Sequence, residues 1–357
     1  MKVAAIVGAR PQFIKAAPVS KALQKAGHTE IMVHTGQHYH YGMSKIFFEE
    51  LGISEPDINL GVGSGSHGWQ TGHMLIHIED VLLAKEPDWV LVYGDTNSTL
   101  AGALAACKLG IPLAHVEAGL RSFNREMPEE HNRVLTDHCS DLLFCPTKTA
   151  VDNLAHEGIT KGVNLVGDTM YDAVLQFAEI ALKRSTILQD LKIEPKGYLL
   201  ATVHRPSNVD NPENLRDILT VFIEIGKPIV FPVHPRTREK IEDLDIALKK
   251  VLATSNVKMI KPVGYLDMLM LERNARLILT DSGGMQKEAY FFGVPCVTLR
   301  AETEWVETVE SGWNVLVGSA PARIMAAVKQ GQPGSSFQDA YGNGRAAERI
   351  VNVLSSV

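Results

Sequence analysis

The sequence has few cysteines, no long apolar run and no excess of positive charge. Its four cysteines (Cys107, Cys139, Cys145 and Cys296) form no C-x-x-C pair, so we expect reduced, mostly buried thiols rather than a disulfide framework or a zinc site. The longest apolar runs, such as residues 3–7, are far shorter than the ~20 residues that span a membrane. The 41 acidic side chains outnumber the 35 basic ones, and a net charge of −6 disfavours nucleic-acid binding.

A signal-peptide core is also missing from the first residues. The chain reaches Gly8-Ala9-Arg10-Pro11 almost at once, whereas such a core takes ~7 to 15 apolar residues. We therefore expect a cytoplasmic protein. Hydrophobic residues make up 45% of the 357 residues and charged residues 21%, which is typical of globular proteins. At roughly 150 residues per domain, the length predicts about two domains.

Short β-branched runs alternate with helical patterns along the whole chain, as in βαβ units with parallel sheets. One of the predicted helices covers residues 236–249, and the polar stretch 183–196 is the best boundary region. The predicted strands are residues 3–7, 31–34, 89–93, 113–116, 142–144 and 164–166 in the first half, and 198–202, 229–231, 257–260, 277–280, 296–299 and 314–317 in the second.

One pattern occurs twice, far apart in the chain. Residues 90–95 and residues 277–281 each form an apolar run that ends in an aspartate, and small or capping residues that open a helix follow. The repeat indicates two similar doubly wound α/β domains that face each other across a cleft. In such folds ligands bind beyond the carboxyl ends of the strands, so the residues that follow the strands are the site candidates.

The turn Ser282-Gly283-Gly284 is the strongest candidate for an anion site. Its glycines allow close approach, and the helix that follows offers N–H groups and the positive end of its dipole to a phosphate. An ordinary N-cap turn would have the same sequence. Arg10 and Lys15 are further phosphate candidates, because the dipole of the first helix disfavours cations there unless an anion is bound. Glu288 lies on the helix after the turn and either binds a ribose or faces solvent.

Candidate proton-transfer groups also follow predicted strands. Asp95 and Glu117 stand at strand ends, where burial and neighbouring charges can adapt a carboxylate to acid–base work, although an aspartate there is also an ordinary helix cap. His204 and His234 follow two strands of the second domain and can donate to an anionic leaving group. The acids of Pro128-Glu129-Glu130 fit a plain helix N-terminus.

Two other patterns favour a cofactor or metal only weakly. Residues 63–68 match G-x-G-x-x-G, but they do not follow the first strand of a βαβ unit, so a ligand-covering loop is favoured over a nicotinamide site. His73 and His77 have the spacing of zinc ligands on one helix face, but no glutamate adjoins His73 as in zinc proteases. We expect neither a metal nor a cofactor.

Taken in order, several segments resemble the non-hydrolysing UDP-N-acetylglucosamine 2-epimerase family. The resemblance implies a UDP-sugar substrate, a homodimer, no cofactor, and a GT-B-like pair of Rossmann-like domains at residues 1–168 and 169–342, with a final helix at about 343–357 that packs back on the first. The segments are residues 8–15, Thr35-Gly36-Gln37-His38, Gly94-Asp95-Thr96-Asn97-Ser98, residues 115–121, Pro128-Glu129-Glu130 with Asn132-Arg133, His204-Arg205, and residues 281–286 with Glu288.

The resemblance further implies a mechanism. A base removes the C2 proton of the sugar while the C1–O bond to UDP breaks, and UDP adds back to 2-acetamidoglucal after a proton returns to the opposite face. The implied catalytic residues are Asp95, Glu117, Glu130 and His204, with Asp95 and Glu117 favoured for proton transfer. The implied UDP and sugar ligands are Arg10, Lys15, Arg205, His234, Ser282, Gly283, Gly284 and Glu288, and Gln37, His38 and Gln70 belong to a regulatory or cleft loop.

Departures from bacterial members bear on the substrate and on regulation. An arginine that precedes the Gln70 position, in a region linked to activation by a second substrate molecule, is Trp69 here, which argues against that activation. Trp305-Val306 replaces Arg-Pro, and Met268 replaces an aromatic near the uracil. The run Glu304-Trp305-Val306-Glu307, together with residues 35–39, resembles the branch that epimerises UDP-2,3-diacetamido-2,3-dideoxyglucuronate in lipopolysaccharide assembly. Two sugars therefore stay open.

A GT-B glycosyltransferase and a non-catalytic nucleotide-sugar sensor are the alternative functions. The transferase shares the fold but requires an acceptor, and it does not need acids on both faces of C2, as Asp95 and Glu117 would supply. The sensor would tolerate Asp95→Asn without loss of ligand binding.

Overall fold

The computed structural model describes residues 1–37, 48, 55–331 and 339–357, and the chain divides into two compact units. Unit 1 comprises Met1–Leu175 and Asp339–Val357, and unit 2 comprises Gln176–Gln338. Two predicted site residues fall outside this description: all of His38 and the side chain of Arg10.

Each unit contains one parallel sheet, and both sheets have the strand order of a doubly wound fold. The strands are β1 (Lys2–Val7), β2 (Thr29–His34), β3 (Ile58–Asn59), β4 (Trp89–Tyr93), β5 (Leu113–Val116), β6 (Leu142–Cys145), β7 (Val163–Leu165), β8 (Leu199–Thr202), β9 (Ile229–Pro232), β10 (Val257–Ile260), β11 (Leu277–Thr280), β12 (Cys296–Thr298) and β13 (Asn314–Leu316). Unit 1 has the order β3-β2-β1-β4-β5-β6-β7 and unit 2 the order β10-β9-β8-β11-β12-β13. The predicted α/β class with two Rossmann-like halves is confirmed.

Where the structure describes the connection, helices join successive strands, as parallel pairing requires. They are α1 (Arg10–Lys25), α2 (His67–Lys85), α3 (Asn97–Leu109), α4 (Pro128–Cys139), α5 (Lys148–His156), α6 (Thr169–Arg184), α7 (Ile187–Leu191), α8 (Pro206–Val209), α9 (Pro212–Glu224), α10 (Pro235–Glu242), α11 (Ile246–Thr254), α12 (Tyr265–Asn274), α13 (Gly283–Phe291), α14 (Val306–Glu310), α15 (Pro321–Gln330) and α16 (Ala346–Leu354). Within the described ranges, no helix is long and apolar enough to cross a membrane.

The local sequence explains where the helix after β4 begins and ends. The Thr96 hydroxyl accepts a hydrogen bond from the Thr99 N–H at 3.3 Å, which caps the first turn of α3. Gly110, with a φ of 69°, ends the helix in the left-handed conformation that favours glycine. Ala103 and Ala106 of α3 are fully buried in a core shared with β1 and β4. Asp95 is therefore fixed between a buried strand and a capped helix.

The helix predicted over residues 236–249 is wrong, because two helices occupy that stretch. α10 ends at Glu242, and α11 begins at Ile246. The Asp245 carboxylate accepts a hydrogen bond from the Leu248 N–H at 2.8 Å and so acts as the N-cap of the second helix. The N-cap aspartate was the sequence signal for this break.

The four cysteines are free thiols with different exposures. Cys145 and Cys296 are buried, and burial raises the pKa of the Cys296 thiol to about 12. Cys139 is partly buried, and Cys107 is exposed. The expectation of mostly buried thiols therefore holds for two of the four and is wrong for Cys107.

Helix α16 belongs to unit 1 although it is the last helix of the chain. Its first N–H groups, those of Ala346 and Ala347, donate to the Asp172 carboxylate at 3.1 and 2.8 Å. At its other end, Ser355 Oγ lies 2.8 Å from His28 Nε2. Asp172 thus satisfies N–H groups of α16 from a different helix, α6, as an N-cap residue would do locally.

The environment of the Asp172 carboxyl group leads us to expect a specific pH dependence of the free energy of unfolding. Burial raises the pKa of Asp172 to about 6, and the negative charges of Asp168 and Glu348 add to the rise. The hydrogen bonds from the Ala346 and Ala347 N–H groups lower the pKa but do not cancel the effect of burial. Because the unfolded carboxyl has a pKa of ~3.9, its contribution to the free energy of unfolding is most favourable below about pH 4 and is lost as the pH rises through about 6.

Asp172→Asn removes this titration. We expect the stability of the wild type relative to the variant to fall by on the order of 2 kcal/mol between about pH 4 and about pH 6. Urea denaturation at several pH values measures this difference. A difference that stays constant over that range would show that the folded carboxyl titrates like the unfolded one.

Candidate active site

In unit 1, predicted site residues gather at the carboxyl ends of three neighbouring strands. β1, β4 and β5 lie side by side, and Gly8, Gly94-Asp95 and Glu117 follow their last residues. The strand order reverses between β1 and β4, which is where doubly wound sheets bind ligands. Lys15 reaches this edge from α1, since its amino group pairs with Glu117.

Glu117 is buried and has a strained backbone. Its φ of 73° lies in the left-handed region, which costs a residue with a Cβ on the order of 1 kcal/mol. Its N–H donates to the Phe144 carbonyl at 3.0 Å, which fixes this conformation. A Cβ on Gly94 would lie 3.2 Å from Lys15 Nζ, so glycine there leaves room for the Lys15–Glu117 pair. Strain held in place by its surroundings is typical of functional sites.

Asp95 is held by the first two turns of α4. Its side chain is 34% exposed, and its carboxylate accepts from Arg133 Nη2 at 2.5 Å. The Asn132 amide donates to the Asp95 carbonyl at 2.9 Å. Arg133 Nη1 donates to the Glu130 carboxylate at 2.7 Å, so one guanidinium joins two of the predicted catalytic carboxylates. The structure therefore brings Asp95 and Glu130 together through Arg133.

Glu130 is buried and accepts hydrogen bonds on both carboxylate oxygens. Oε2 receives the Ser122 N–H at 2.9 Å and the Ser122 hydroxyl at 2.8 Å, in addition to Arg133. Oε1 receives the Phe123 N–H at 2.9 Å. These contacts fasten the loop after β5 to the start of α4. Four donors leave this carboxylate less available for proton transfer than its place among the catalytic candidates suggests.

A buried charge network, which the sequence pattern did not predict, lies under these strand ends. The ring of His115 lies 2.7 Å from both Asp137 Oδ1 and the Gly94 carbonyl, so each ring nitrogen faces an oxygen acceptor. Arg121 donates to Asp137 Oδ2 at 2.7 Å and pairs with Glu157. Burial opposes ionisation of Asp137, but His115 and Arg121 outweigh it and lower its pKa.

Two of the predicted loop residues contact the turn that follows Asp95. Gln37 Oε1 accepts from the Ser98 N–H at 3.1 Å and from the Ser98 hydroxyl at 2.7 Å. Gln70 Oε1 accepts from the Asn97 amide at 2.8 Å. The structure thus places Gln37 and Gln70 beside the start of α3.

A further missed residue, Gln12, connects the ends of β1 and β4. Its carboxamide oxygen accepts from the N–H groups of Gly8 and Ala9 at 2.8 and 3.0 Å. Its amide nitrogen donates to the Tyr93 carbonyl at 2.9 Å. The side chain is 1% exposed, so its role is to hold the two loops in register. A glutamine in a helix first turn gives no signal of this in the sequence.

In unit 2, the corresponding strand ends carry His204 and Asp281. β8 and β11 are neighbours at the point where the strand order reverses, as β1 and β4 are in unit 1. Asp281 is fully buried and accepts from the N–H groups of His204 and Arg205 at 3.0 and 2.9 Å and from the Asn208 amide at 3.0 Å. The repeated aspartates are therefore equivalent in position, but Asp281 organises its loop while Asp95 keeps a partly exposed carboxylate.

The His204 ring is oriented by the same aspartate. Its Nδ1 lies 3.2 Å from Asp281 Oδ1, and the side chain is 37% exposed. Desolvation lowers the pKa of His204, the positive charges of Arg205 and Arg300 lower it further, and Asp281 opposes the shift. Because cationic neighbours disfavour the charged ring, an anion bound beside His204 would promote its protonation.

The turn after β11 forms the N-terminus of α13. The Ser282 hydroxyl accepts from the Met285 N–H at 3.4 Å, which is the cap predicted as the plain alternative. A Cβ on Gly283 would lie 3.3 Å from Trp305 Nε1, so glycine keeps this helix end uncrowded. Arg205 Nε is buried without a hydrogen-bond partner among the described residues. A helix N-terminus and an available guanidinium N–H both favour an anion.

Two other predicted ligands of unit 2 have clear positions. The His234 ring lies 6.0 Å from the His204 ring, and its Nδ1 accepts from the Arg236 N–H at 3.3 Å. Glu288 is buried on α13 and accepts from the Tyr265 hydroxyl at 2.9 Å. The structure therefore places the His234 ring near the His204 ring. It also excludes the alternative that the Glu288 side chain faces solvent.

Two doubly wound units, with carboxylates at the strand ends of one and a glycine turn that begins a helix in the other, define an α/β protein of the doubly wound class. The chain belongs to the UDP-N-acetylglucosamine 2-epimerase family, whose pattern matches residues 21–355.

Similar proteins cover the whole chain. A Methanococcus maripaludis protein named as a UDP-N-acetylglucosamine 2-epimerase homolog is 56% identical over 100% of both chains. The UDP-2,3-diacetamido-2,3-dideoxy-D-glucuronate 2-epimerase of Pseudomonas aeruginosa is 52% identical, again over 100% of both. The crystal structure of Methanocaldococcus jannaschii UDP-GlcNAc 2-epimerase, in complex with UDP-GlcNAc and UDP, matches with a TM-score of 0.93 at 49% identity and 100% coverage of both.

Proposed function

We propose that this chain is a non-hydrolysing UDP-N-acetylglucosamine 2-epimerase that interconverts UDP-GlcNAc and UDP-ManNAc without a cofactor or metal. The observation that carries the proposal is the pair of carboxylates, Asp95 and Glu117, at adjoining ends of β4 and β5. Epimerisation at C2 needs one group to remove a proton and another to return it to the opposite face. Two strand-end carboxylates, each beside a cation, supply both groups.

In this proposal unit 2 holds the nucleotide diphosphate. The N-terminus of α13 and the available Nε of Arg205 offer donors to phosphate oxygens. His204, held by Asp281, gains a proton when the anion binds and donates to the departing diphosphate. Fixed donors of this kind stabilise the negative charge that develops as the C1–O bond breaks.

Unit 1 acts on the sugar. One carboxylate takes the C2 proton, the C2–H electron pair forms the C1=C2 double bond, and the C1–O electron pair leaves with UDP, which gives neutral 2-acetamidoglucal. The second carboxyl group returns a proton to the opposite face of C2, and the UDP oxygen then bonds to C1. Asp95 and Glu117 perform the two transfers, with Lys15 beside Glu117 and Arg133 beside Asp95.

UDP-2,3-diacetamido-2,3-dideoxyglucuronate is the second candidate substrate. The observation that favours it is the Pseudomonas aeruginosa relative, which bears that activity in its name at 52% identity over the whole chain. Trp305 belongs to the sequence segment that resembles the diacetamido-glucuronate branch, and its ring nitrogen lies close to Gly283 at the start of α13. The reaction at C2 would be the same.

Proton NMR with each UDP-sugar, without NAD, metal or acceptor, tests this proposal. We expect the manno isomer to accumulate from UDP-GlcNAc until both isomers are present at equilibrium. A product that forms only when an acceptor is added would identify a glycosyltransferase instead. Binding of either UDP-sugar without any turnover would identify a sensor.

The proposal extends to the setting of the enzyme. We infer a homodimer in the cytoplasm that supplies precursors of cell-surface polysaccharides, as the family resemblance implies. Light scattering on the purified protein should then give twice the chain mass of 39.1 kDa. A monomer at working concentration would contradict the dimer and leave the reaction itself untouched.

A further inference from the structure

The loop between β5 and α4 presents one large apolar side chain to solvent. Phe123 is 76% exposed, and its φ is 58°, in the left-handed region that a residue with a Cβ rarely adopts. The exposed ring gains little from packing, and its backbone conformation is unfavourable for a residue with a Cβ. Unfavourable features that the fold does not explain are characteristic of residues kept for binding.

Several hydrogen bonds hold this loop in one conformation. Glu130 accepts the N–H groups of Phe123 and Ser122, each at 2.9 Å, and the Ser122 hydroxyl at 2.8 Å. The Asn124 carbonyl accepts the Met127 N–H at 3.1 Å. Glu130 itself is 5% exposed, so the anchor is rigid. The exposure of Phe123 is therefore built into the loop rather than caused by a loose segment.

The anchor of the loop is connected to the acid–base candidates. Arg133 joins Glu130 to Asp95 through hydrogen bonds of 2.7 and 2.5 Å. The loop also begins a few residues after Glu117, at the end of β5. Phe123 is consequently fixed to the same side chains that hold Asp95. The backbone of Phe123 is thus connected to the carboxylate of Asp95 through Glu130 and Arg133.

We propose that Phe123 binds the sugar of the substrate, with its ring against the apolar C–H face of the pyranose, and that Glu130 is the positioning residue that holds it there. The inference rests on the proposed function. UDP carries the charge of the substrate, so after the C1–O bond breaks no ion pair retains the neutral 2-acetamidoglucal. An aromatic ring over its C–H face retains a neutral sugar and excludes water.

Phe123→Gly tests this role, because glycine removes the ring and relieves the backbone. We expect a thermal midpoint no lower than that of the wild type. The fraction of turnovers that release free 2-acetamidoglucal and UDP should rise about tenfold, the effect of one lost aromatic contact. Phe123→Tyr keeps the ring and should release glucal at the wild-type level. Leu83→Ala, which removes another exposed apolar side chain, is the matched control and should also match the wild type.

Glu130→Gln separates positioning from proton transfer. The amide keeps the volume of the side chain but cannot accept from all four donors. We expect the same rise in glucal release, with the pH profile of C2 proton exchange unchanged. Loss of one limb of that profile would make Glu130 an acid or base and would overturn its positioning role.

Two results overturn the role of Phe123. The first applies when the wild-type protein exchanges the C2 proton. In that case, a Phe123→Gly variant that releases no more glucal than the wild type would overturn the role. The second is a variant with normal release but a changed oligomeric state, which would make Phe123 a contact between copies of the chain. Wild-type protein that exchanges no C2 proton would instead overturn the proposed function, and this inference with it.

Discussion

Replacing Glu117 by glutamine is expected to slow the interconversion of UDP-GlcNAc and UDP-ManNAc by roughly 10³-fold, the effect of losing one proton-transfer group. Glutamine has the same shape and keeps an oxygen for Lys15, but it neither takes nor delivers a proton at neutral pH. The unfavourable φ of 73° is the same for both side chains, so the backbone has no reason to move. NMR with UDP-GlcNAc as substrate measures the rate at which UDP-ManNAc forms.

Controls separate chemistry from folding in this experiment. Asp95→Asn should slow epimerisation by a similar factor, because each carboxylate serves one of the two required transfers. Asp80→Asn, which removes an exposed carboxylate from α2, should leave the rate within a factor of about two. Thermal unfolding of each variant shows whether it is folded. A folded Glu117→Gln variant that forms UDP-ManNAc at the wild-type rate would remove Glu117 from the reaction.

Replacing Asp137 by asparagine is expected to lower the free energy of unfolding by about 3 to 5 kcal/mol, the cost of breaking a buried charge pair. Asp137 is 1% exposed and lies between the His115 ring and the Arg121 guanidinium. A neutral amide leaves the Arg121 guanidinium buried with reduced compensation and weakens the contact with the His115 ring. The midpoint of urea denaturation, compared with the wild type at neutral pH, gives the change.

The pH dependence and a control sharpen this second prediction. His115 and Arg121 lower the pKa of Asp137 in the folded chain, so its contribution to stability is present above the unfolded value and is lost as the pH falls. The difference between wild type and variant should therefore shrink in acid. Asp152→Asn breaks an exposed pair with Lys148 and should change stability by less than about 0.5 kcal/mol. Equal effects of the two substitutions would refute the assignment of Asp137.

The sheets could be predicted from the sequence because buried parallel strands are nearly continuous apolar runs. β4 and β5 have the bounds that their apolar runs predict. β3 escaped prediction because it has only two residues, Ile58–Asn59. The break between α10 and α11 was missed because helical periodicity outweighed the capping signal of Asp245. Local sequence signals thus predicted most of the strands and helices. Elements with a weak signal, or with two competing signals, were predicted wrongly.

The site was predictable only in part, for a geometric reason. Asp95 and Glu117 could be chosen because the carboxyl ends of parallel strands converge at one edge of a sheet. Their partners depend on approaches between distant segments: Lys15 meets Glu117, and Arg133 meets Asp95, with no spacing rule that links them. The buried network around Asp137 and the anchoring role of Glu130 are of the same kind. The assignment of the predicted site residues to catalysis and binding stays a prediction.

Solvent deuterium at C2 of the sugar is the most direct test of the central claim, that two strand-end carboxylates exchange the C2 proton while UDP leaves and returns. Purified protein is incubated with UDP-GlcNAc in D₂O, without NAD, metal or acceptor, and followed by NMR. The account predicts that UDP-ManNAc forms and that both isomers carry deuterium at C2. Formation of UDP-ManNAc that retains the original C2 hydrogen would contradict it.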